Sequence, residues 1–255
     1  MLNKIIEVKV EEMKNFVLPE QRQDYKIVSL YDALSSPNRS VGLIAEVKKA
    51  SPSKGIIRKD FNPLSIATDY VYAGADAISV LTDAPFFQGS KEYLSQIKEA
   101  VDVPLLRKDF IVDNRQILES KHLGADAILL IGEVLEPSRL VEFYIEAEEL
   151  GLECIVEVHS IETIEKLLKR FTPKIIGINN RDLSSFQTSI EQTEVISSYI
   201  PPESLIVSES GIFTHADIEY VKEKGADAVL IGEAIMRKQD VVLAIKELFG
   251  ENAHV

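Results

Sequence analysis

The tetrapeptide Gly-Ala-Asp-Ala occurs three times in this chain, beginning at Gly74, Gly124 and Gly225. Each copy follows a segment with helical periodicity and leads directly into a short run of Ile, Leu and Val. A glycine that ends a helix just before a wholly apolar strand is typical of a helix-to-strand junction in a parallel sheet. The copies begin 50 and 101 residues apart. A unit of roughly 25 residues, one strand plus one helix, accounts for both intervals.

Apolar runs between the repeats complete a set of eight candidate strands. They cover residues 41–47, 76–82, 103–110, 126–132, 154–159, 174–180, 205–210 and 227–233. Helical patterns such as EPSRLVEFYIEAEEL, with a proline near its start, separate them. Eight alternations in roughly 200 residues predict an α/β fold, a single (β/α)8 TIM barrel over 41–255. Residues 1–40 would form an N-terminal extension of one or two helices packed on the bottom or rim of the barrel. An open doubly wound sheet is the alternative, although it usually has fewer repeats and a glycine fingerprint.

The charge of the chain limits its partners. The net charge is −13 and the sequence has no long basic run. We therefore expect neither nucleic acid nor an anionic membrane as a partner, since phosphate backbones require clustered Lys and Arg. A small phosphorylated substrate stays open, because a local positive pocket can form in an acidic protein. Without a signal peptide or an apolar stretch of roughly 18 residues, the protein is expected in the cytoplasm.

Ionisable and polar side chains gather at the carboxyl ends of five candidate strands. Glu46 and Lys48 share one face of the first strand, opposite an apolar row that would face the helices. Shared parity likewise joins Lys108 with Phe110, Glu157 with His159, and Asn179 with Arg181, and the seventh strand ends on Glu209 and Ser210. One such residue is most often a solvated rim residue, but catalytic groups of these barrels collect at this end. Arg107 and Asp109 have the opposite parity, which predicts structural pairs. His159 is the weakest candidate, because nothing in the sequence pairs with it.

Two glycines end the last two candidate strands, Gly211 in SESGI and Gly232 in LIGEAIM. On its own, a glycine after a strand is most often a turn. At these two strand ends a barrel commonly holds a phosphate through backbone N–H groups and a helix N-terminus. The pair therefore favours a phosphate site between the seventh and eighth strands.

Seven segments together resemble the indole-3-glycerol-phosphate synthase family. They are IAEVKKASPSKG, LTDAPFFQGS, LLRKDFIVD, IVEVH, IGINNRDL, VSESGI and VLIGEAIMR, in order over residues 40–240. The start, LNKIIEVKVEEMKN, is also similar to the amino-terminal helix of that family. The resemblance implies cyclisation of 1-(2-carboxyphenylamino)-1-deoxyribulose 5-phosphate, with loss of CO₂ and water, to indole-3-glycerol phosphate in tryptophan biosynthesis. No cofactor is expected, and no metal, because the interior carboxylates lack a ligand cluster of the His₂Glu type.

The resemblance also implies catalytic roles. Lys108 would be the general acid that activates the ribulose carbonyl, and Glu157 the acid or base of the dehydration half. Glu46 and Lys48 would form a pair, with Lys48 near the carboxylate that leaves as CO₂. Whether Lys48 also donates a proton stays open. Two further residues would hydrogen-bond substrate hydroxyls and position Glu157: Asn179 and Ser210.

The remaining residues carried over from the family would bind substrate. Arg181 would bind or orient an anionic group. The walls for the anthranilate ring would be Phe87, Phe110 and Leu183. The phosphate would be held by Ser51, Gly211, Gly232 and the backbone of Glu233. Some family members have Ser after the glycine of the eighth strand. Since a carboxylate would repel a phosphate dianion, we expect the Glu233 side chain to point away and only its N–H to be used.

The sequence does not exclude three other functions. One is a phosphoribosyl-type isomerase, which would need a Cys or Asp acid–base pair and would not need Glu46 and Lys48. Another is an aldolase that uses Lys108 as a Schiff-base nucleophile. The third is a catalytically silent barrel that senses a phosphorylated metabolite, although a binder has little need of both Lys108 and Glu157. We expect a monomer, with a weak homodimer as the alternative.

Overall fold

The computed structural model describes residues 1–182 and 187–251. Within these residues, eight parallel strands close into a barrel in which each strand pairs with the next and the last pairs with the first. The strands are β1 Gly42–Val47, β2 Ala77–Leu81, β3 Leu105–Lys108, β4 Ala127–Ile131, β5 Glu153–Val158, β6 Ile175–Asn179, β7 Leu205–Glu209 and β8 Ala228–Ile231. The predicted TIM barrel is confirmed, and each strand lies within two residues of its predicted bounds.

Helices alternate with the strands and surround them. They are α1 Leu2–Lys14, α2 Leu30–Ser35, α3 Pro63–Tyr72, α4 Ala84–Phe87, α5 Lys91–Lys98, α6 Arg115–His122, α7 Pro137–Glu149, α8 Ile161–Leu168, α9 Glu191–Ser197, α10 His215–Glu223, α11 Glu233–Met236 and α12 Val241–Leu248. In the loop after β1, Ala50–Ser51 and Gly55–Ile56 form a short antiparallel pair. None of the helices described is long and apolar enough to cross a membrane.

Short polar side chains explain where many helices begin. Seven N-cap residues accept a hydrogen bond from a backbone N–H of the first turn: Ser29, Asn62, Asp83, Ser90, Ser160, Thr214 and Asp240. Such a cap satisfies an N–H group that has no partner within the helix. Before α10, Thr214 and Asp217 form a reciprocal capping box. The ends of these helices are thus set locally by the sequence.

The Gly-Ala-Asp-Ala repeat joins a helix to a strand in two ways. Its glycines, Gly74, Gly124 and Gly225, have φ values of 80°, 86° and 94°. This left-handed conformation favours glycine and ends the helix. Its aspartates each accept a 2.8 Å hydrogen bond from the backbone of the neighbouring strand: Asp76 from Leu43, Asp126 from Leu105 and Asp227 from Ile206. Each aspartate therefore links the start of its own strand to the amino-terminal end of the neighbouring strand. The sequence pattern did not reveal this role.

Two hydrophobic layers lie on either side of the barrel wall. The outer layer, between strands and helices, includes the apolar row Val41, Leu43, Ala45 and Val47 of β1, as the alternation predicts. The inner layer contains Ile44 and its counterparts on the other strands. Cys154 is also buried in the outer layer, where it packs as a small hydrophobe.

The N-terminal extension packs at both ends of the barrel. Leu30 and Leu34 of α2 are 0% and 1% exposed, and they close the bottom of the barrel against the inner layer. The first helix, α1, lies at the opposite end, where Met1, Leu2 and Ile5 border the central cavity. The two helices of residues 1–40 therefore lie at opposite ends of the barrel.

A buried ion network ties α1 to the barrel. The Lys9 ammonium lies 3.0 Å from Asp83 and 3.0 Å from Asp109. The fully buried Arg107 guanidinium lies 3.1 Å from Asp109 and 2.7 Å from Glu119. Arg107 and Asp109 are thus a structural pair, as their parity predicts. Burial alone raises the pKa of Asp109, but the charges of Arg107 and Lys9 outweigh it and lower this pKa to about 2.

We expect Leu34→Ala to lower the free energy of unfolding by about 2–5 kcal/mol, because it leaves a cavity beneath the barrel. Urea unfolding followed by circular dichroism measures this loss. The control is Leu243→Ala on α12, where the leucine is 37% exposed. The control should lose less than about 1 kcal/mol. Equal losses in the two variants would contradict the role of α2 as a plug.

The loss of stability in Asp109→Asn should depend on pH. At pH 7 we expect a loss of about 3–5 kcal/mol, because Lys9 and Arg107 remain buried without this charge. Asp109 has a folded pKa of about 2 against an ordinary 3.8. The stabilisation by ionised Asp109 is therefore complete well above pH 3.8, and it is lost as the pH falls through about 2. Urea unfolding should show the difference from wild type shrinking by about 1 kcal/mol at pH 3. The exposed Asp102→Asn provides the baseline, and a difference independent of pH would contradict the prediction.

Candidate active site

A cavity of about 180 Å³ opens at the carboxyl ends of the strands. Its lining includes the predicted residues Glu46, Lys48, Ser51, Phe87, Lys108, Phe110, Glu157, Asn179, Arg181, Ser210, Gly211, Gly232 and Glu233. Leu183, the remaining predicted site residue, lies outside the described residues. The alternation of side chains and the barrel topology therefore bring together residues that are far apart in the sequence.

Lys108 lies at the centre of the cavity between two carboxylates. Its ammonium is 2.9 Å from Glu157 and is also hydrogen-bonded to Glu209. These three side chains, from β3, β5 and β7, are 13%, 5% and 2% exposed. Burial alone would lower the pKa of Lys108, but the surrounding carboxylates, foremost Glu157, raise it well above its usual range. Lys108 is therefore held as an ammonium that faces the cavity.

The two carboxylates beside Lys108 differ in their acidity. Burial tends to raise the pKa of Glu157, but the neighbouring Lys108 and His159 lower it below its ordinary value. Burial, together with the charge of Glu157, raises the pKa of Glu209 above its ordinary value, and Lys108 offsets this only in part. The proximity of two like charges keeps their pKa values apart. Glu157 is the group that stays ionised, and Glu209 is the one that binds a proton more readily.

A second acid–lysine pair lies at the carboxyl end of β1, with Glu46 on the strand and Lys48 just after it. Glu46 is 5% exposed and hydrogen-bonds Lys48, whose side chain is 17% exposed. The short spacing along one strand places both groups on the cavity side, as their parity predicts. A buried carboxylate is costly unless it is paired. Lys48 supplies that partner to Glu46 and presents a positive charge at the edge of the cavity.

Glycines on neighbouring strands make room for two of the buried carboxylates. A methyl group at Gly232 would collide with the Glu46 carboxylate, and one at Gly177 would collide with that of Glu209. Gly232 was predicted as a phosphate-binding turn, and this contact gives it an additional structural role. Gly177 was not predicted as a site residue, since a glycine inside a strand gives no sign of the carboxylate beside it.

Apolar and backbone groups form opposite walls of the cavity. Phe87 and Phe110 have ring centroids 6.1 Å apart and planes tilted by 37°, and they form an apolar wall of the cavity that Lys108 also lines. Across the cavity, Ser210 and Gly211 have φ values of 66° and 80°. Positive φ is uncommon for a residue other than glycine, and such backbone concentrates at functional sites.

The carboxylate of Glu233 forms ion pairs with two nearby cations. It lies 2.8 Å from the Arg237 guanidinium, one turn along α11, and 3.9 Å from the Lys54 ammonium in the loop after β1. The pairing with Arg237 holds the side chain along its own helix. This arrangement agrees with the expected use of the backbone N–H of Glu233, because the carboxylate has other partners.

Several functional neighbours escaped the sequence analysis. Glu209 was recognised at the end of its strand but was not selected, although it has the same parity as Glu157 and Glu46. His159 was the weakest candidate, because nothing in the sequence pairs with it. In the structure its side chain is 7% exposed and its Nδ1 lies 2.9 Å from Glu133. The contribution of α1 to the cavity has no sequence signal, because it depends on where the extension folds back. Among the described residues, no group of three His, Cys, Asp or Glu side chains could hold a metal ion.

Comparison with known proteins establishes the family. Residues 2–248 match the family model described as indole-3-glycerol phosphate synthase. The chain belongs to the indole-3-glycerol phosphate synthase family. It is 58% identical over 254 residues to the indole-3-glycerol phosphate synthase of Priestia megaterium, covering 100% of this chain and 99% of that protein. It is 57% identical over 251 residues to the synthase of Geobacillus kaustophilus, covering 98% and 97% of the two chains.

Solved structures outside this family share the fold. A 3-hexulose-6-phosphate synthase matches with a TM-score of 0.63 at 16% identity, covering 84% of this chain and 100% of its own. An N-acetylmannosamine-6-phosphate 2-epimerase from Clostridium perfringens matches with a TM-score of 0.63 at 15% identity, covering 86% and 96%. At such low identity these similarities show the barrel and nothing about the activity.

Proposed function

We propose that this chain acts as an indole-3-glycerol-phosphate synthase, converting 1-(2-carboxyphenylamino)-1-deoxyribulose 5-phosphate to indole-3-glycerol phosphate, CO₂ and water. The observation that carries the proposal is the buried Lys108 ammonium, held between Glu157 and Glu209 beside an apolar wall. This combination suits a site that must protonate a carbonyl oxygen next to an aromatic ring. Family membership supports the same reaction.

Lys108 is the acid of the ring closure in this proposal. The aromatic carbon that bears the carboxylate attacks the ribulose carbonyl, and the carbonyl oxygen takes a proton from the Lys108 ammonium. The surrounding carboxylates favour the charged lysine before the reaction, and they stabilise it again when it regains its proton. A Schiff-base role would require Lys108 to lose its proton first, which the raised pKa opposes.

Lys48 and the phenylalanine wall bind the anthranilate part of the substrate. Phe87 and Phe110 offer the aromatic ring an apolar surface, and the Lys48 ammonium attracts its carboxylate. The bond between the ring and this carboxylate then breaks, its electrons restore the ring, and CO₂ leaves. Glu46 keeps Lys48 in place throughout, since the two side chains are hydrogen-bonded.

Glu157 completes the dehydration. The hydroxyl group formed from the carbonyl leaves as water when an acid in the site protonates it, and the adjacent CH₂ carbon then loses a proton to form the indole. Glu157 is the base for that last proton because it is the carboxylate held in the ionised state. The whole conversion takes up one proton from solvent, since the substrate carboxylate leaves as neutral CO₂.

The phosphate lies at the other end of the cavity in this proposal. Ser51 and the backbone at Gly211, Gly232 and Glu233 surround this end, near the N-terminus of α11. Backbone N–H groups at such a position bind phosphate without a side-chain charge. Asn179 and Ser210, which also line the cavity, hydrogen-bond the hydroxyl groups of the substrate in this proposal, and Arg181 binds or orients an anionic group. We also propose that the chain works as a monomer in the cytoplasm on this small phosphorylated substrate.

The direct test is to incubate the protein with the substrate and follow the appearance of indole fluorescence. We expect saturable formation of indole-3-glycerol phosphate, with one CO₂ released per product. An established synthase assayed in parallel provides the reference. Absence of product under conditions in which the reference enzyme works would refute the proposed function.

Lys108→Ala should lower kcat by roughly 100- to 10,000-fold, because general acid catalysis contributes that much. Product binding, measured by fluorescence titration with indole-3-glycerol phosphate, should be largely retained through the phosphate end. Lys98→Ala is the matched control, since Lys98 is also a largely buried lysine, paired with Asp126 at the bottom of the barrel. The control should keep its kcat once folding is verified by circular dichroism. A normal kcat in Lys108→Ala would exclude the assignment.

Glu209→Gln should lower kcat roughly tenfold and move the alkaline limb of its pH profile to lower pH. The raised pKa of Lys108 rests partly on the charge of Glu209, so its replacement by a neutral amide lowers that pKa. Steady-state rates between pH 8 and 12 measure the shift, because the alkaline limb of the wild type lies above the ordinary lysine value of 10.5. The exposed Glu203→Gln, at the opposite end of the barrel, serves as the control. An unchanged alkaline limb in Glu209→Gln would contradict the role of this carboxylate.

A further inference from the structure

The side chain of His159 is fixed at the edge of the cavity by a carboxylate from another strand. His159 follows β5, and Glu133 lies in the loop after β4. The backbone N–H of His159 donates to one carboxylate oxygen of Glu133 at 2.8 Å, and Nδ1 lies 2.9 Å from the other. Because an ionised carboxylate only accepts hydrogen bonds, the proton on the imidazole ring must lie on Nδ1. Both the orientation and the tautomer of the ring are therefore set by Glu133.

The second ring nitrogen faces the Glu157 carboxylate. Nε2 of His159 lies 3.4 Å from Oε1 of Glu157. This nitrogen is buried, and within the described part of the chain it has no hydrogen-bond partner. In a neutral ring with its proton on Nδ1, the lone pair of Nε2 would lie close to a carboxylate oxygen, which is repulsive. In the imidazolium, the positive charge at the same position attracts that oxygen as an ion pair at 3.4 Å. The geometry therefore favours the charged form of His159.

The other charges near His159 support this form. The titratable groups around it are Glu133 in the loop after β4, Glu157 on β5, Glu209 on β7, Lys108 on β3, and Arg181 and Asp182 after β6. Burial tends to lower the pKa of His159, but the contacts with Glu133 and Glu157 outweigh it and raise this pKa. The carboxylates in contact with the ring therefore favour its protonated form.

We propose that His159 is a positioning residue, which Glu133 holds as an imidazolium so that its Nε2–H keeps the Glu157 carboxylate anionic and directed at the substrate. This inference rests on the proposed function of Glu157 as the base of the dehydration. It adds two residues to the site that sequence resemblance did not assign, His159 and Glu133.

A change of charge during the reaction explains why Glu157 requires a second cation. Lys108, 2.9 Å away, gives its proton to the carbonyl oxygen during ring closure and becomes neutral. At that moment His159 is a cation that stays in contact with Glu157. Without it, Glu157 would be a buried carboxylate beside Glu209 and would tend to take up a proton before it acts as the base. His159 therefore keeps Glu157 available for the last proton transfer.

The test compares pH profiles of His159→Gln and Glu133→Gln with that of the wild type. His159→Gln keeps an amide donor but removes the charge. Glu133→Gln keeps the imidazole but removes the anion that holds it protonated. Both changes raise the pKa of Glu157, so the acidic limb of kcat should move to higher pH, by about one pH unit. The activity should accordingly fall more near pH 4 than at pH 8, because Glu157 titrates below its ordinary value of 4.5. His215→Gln is the control, because the exposed His215 contacts only the Leu248 carbonyl at 2.9 Å among the hydrogen bonds described.

The outcomes separate this inference from a structural role and from the proposed function. A structural role for His159 would lower kcat by the same factor at every pH. Profiles of either variant that superimpose on the wild type after scaling would therefore overturn the proposal. His159→Asn replaces His159→Gln if the latter does not fold, as judged by circular dichroism and thermal unfolding. Lack of activity in the wild type would instead refute the proposed function, so the two failures are distinguishable.

Discussion

The site depends on one buried ion cluster, the Lys108 ammonium between the carboxylates of Glu157 and Glu209. Three charges in a nearly closed space are costly unless each has a partner at hydrogen-bonding distance. That requirement fixes the relative positions of three non-adjacent strands, and it requires Gly177 to have no side chain beside Glu209. The same cluster sets the chemistry, because it keeps one lysine charged and separates the acidities of two glutamates.

Carboxylates have different roles at the two ends of the barrel. At the amino-terminal ends of the strands, Asp76, Asp126 and Asp227 accept backbone hydrogen bonds and fasten neighbouring strands. At the carboxyl ends, Glu46, Glu157 and Glu209 hold ammonium groups towards a cavity. Beneath the barrel, leucines of α2 fill the space that the strands leave open. Stability and chemistry are thus separated along the barrel axis, as is usual for this architecture.

Much of the site could be predicted because two simple rules apply to it. Alternation along a strand fixes which side chains face the interior, and parallel strands place their carboxyl ends at one mouth. These rules identified Lys108 and Glu157 correctly as cavity residues. They gave Glu209 the same parity, but a carboxylate at the end of a strand does not reveal which lysine it pairs with. His159 was the weakest candidate for a related reason, since its partner Glu133 lies on a different strand end, 26 residues away.

The sequence by itself determined the alternation of strands and helices, the face of each strand and the end at which the polar groups collect. These features follow from local periodicity and from glycines that end helices, so each can be read from a few neighbouring residues. Only the tertiary structure decided which carboxylate meets which cation, that α1 borders the cavity and that α2 closes the bottom. Those contacts join residues far apart in the chain, and their distances depend on the closure of the whole barrel. A pattern of residue types gives the side that a group faces, but not its distance from a partner on another strand.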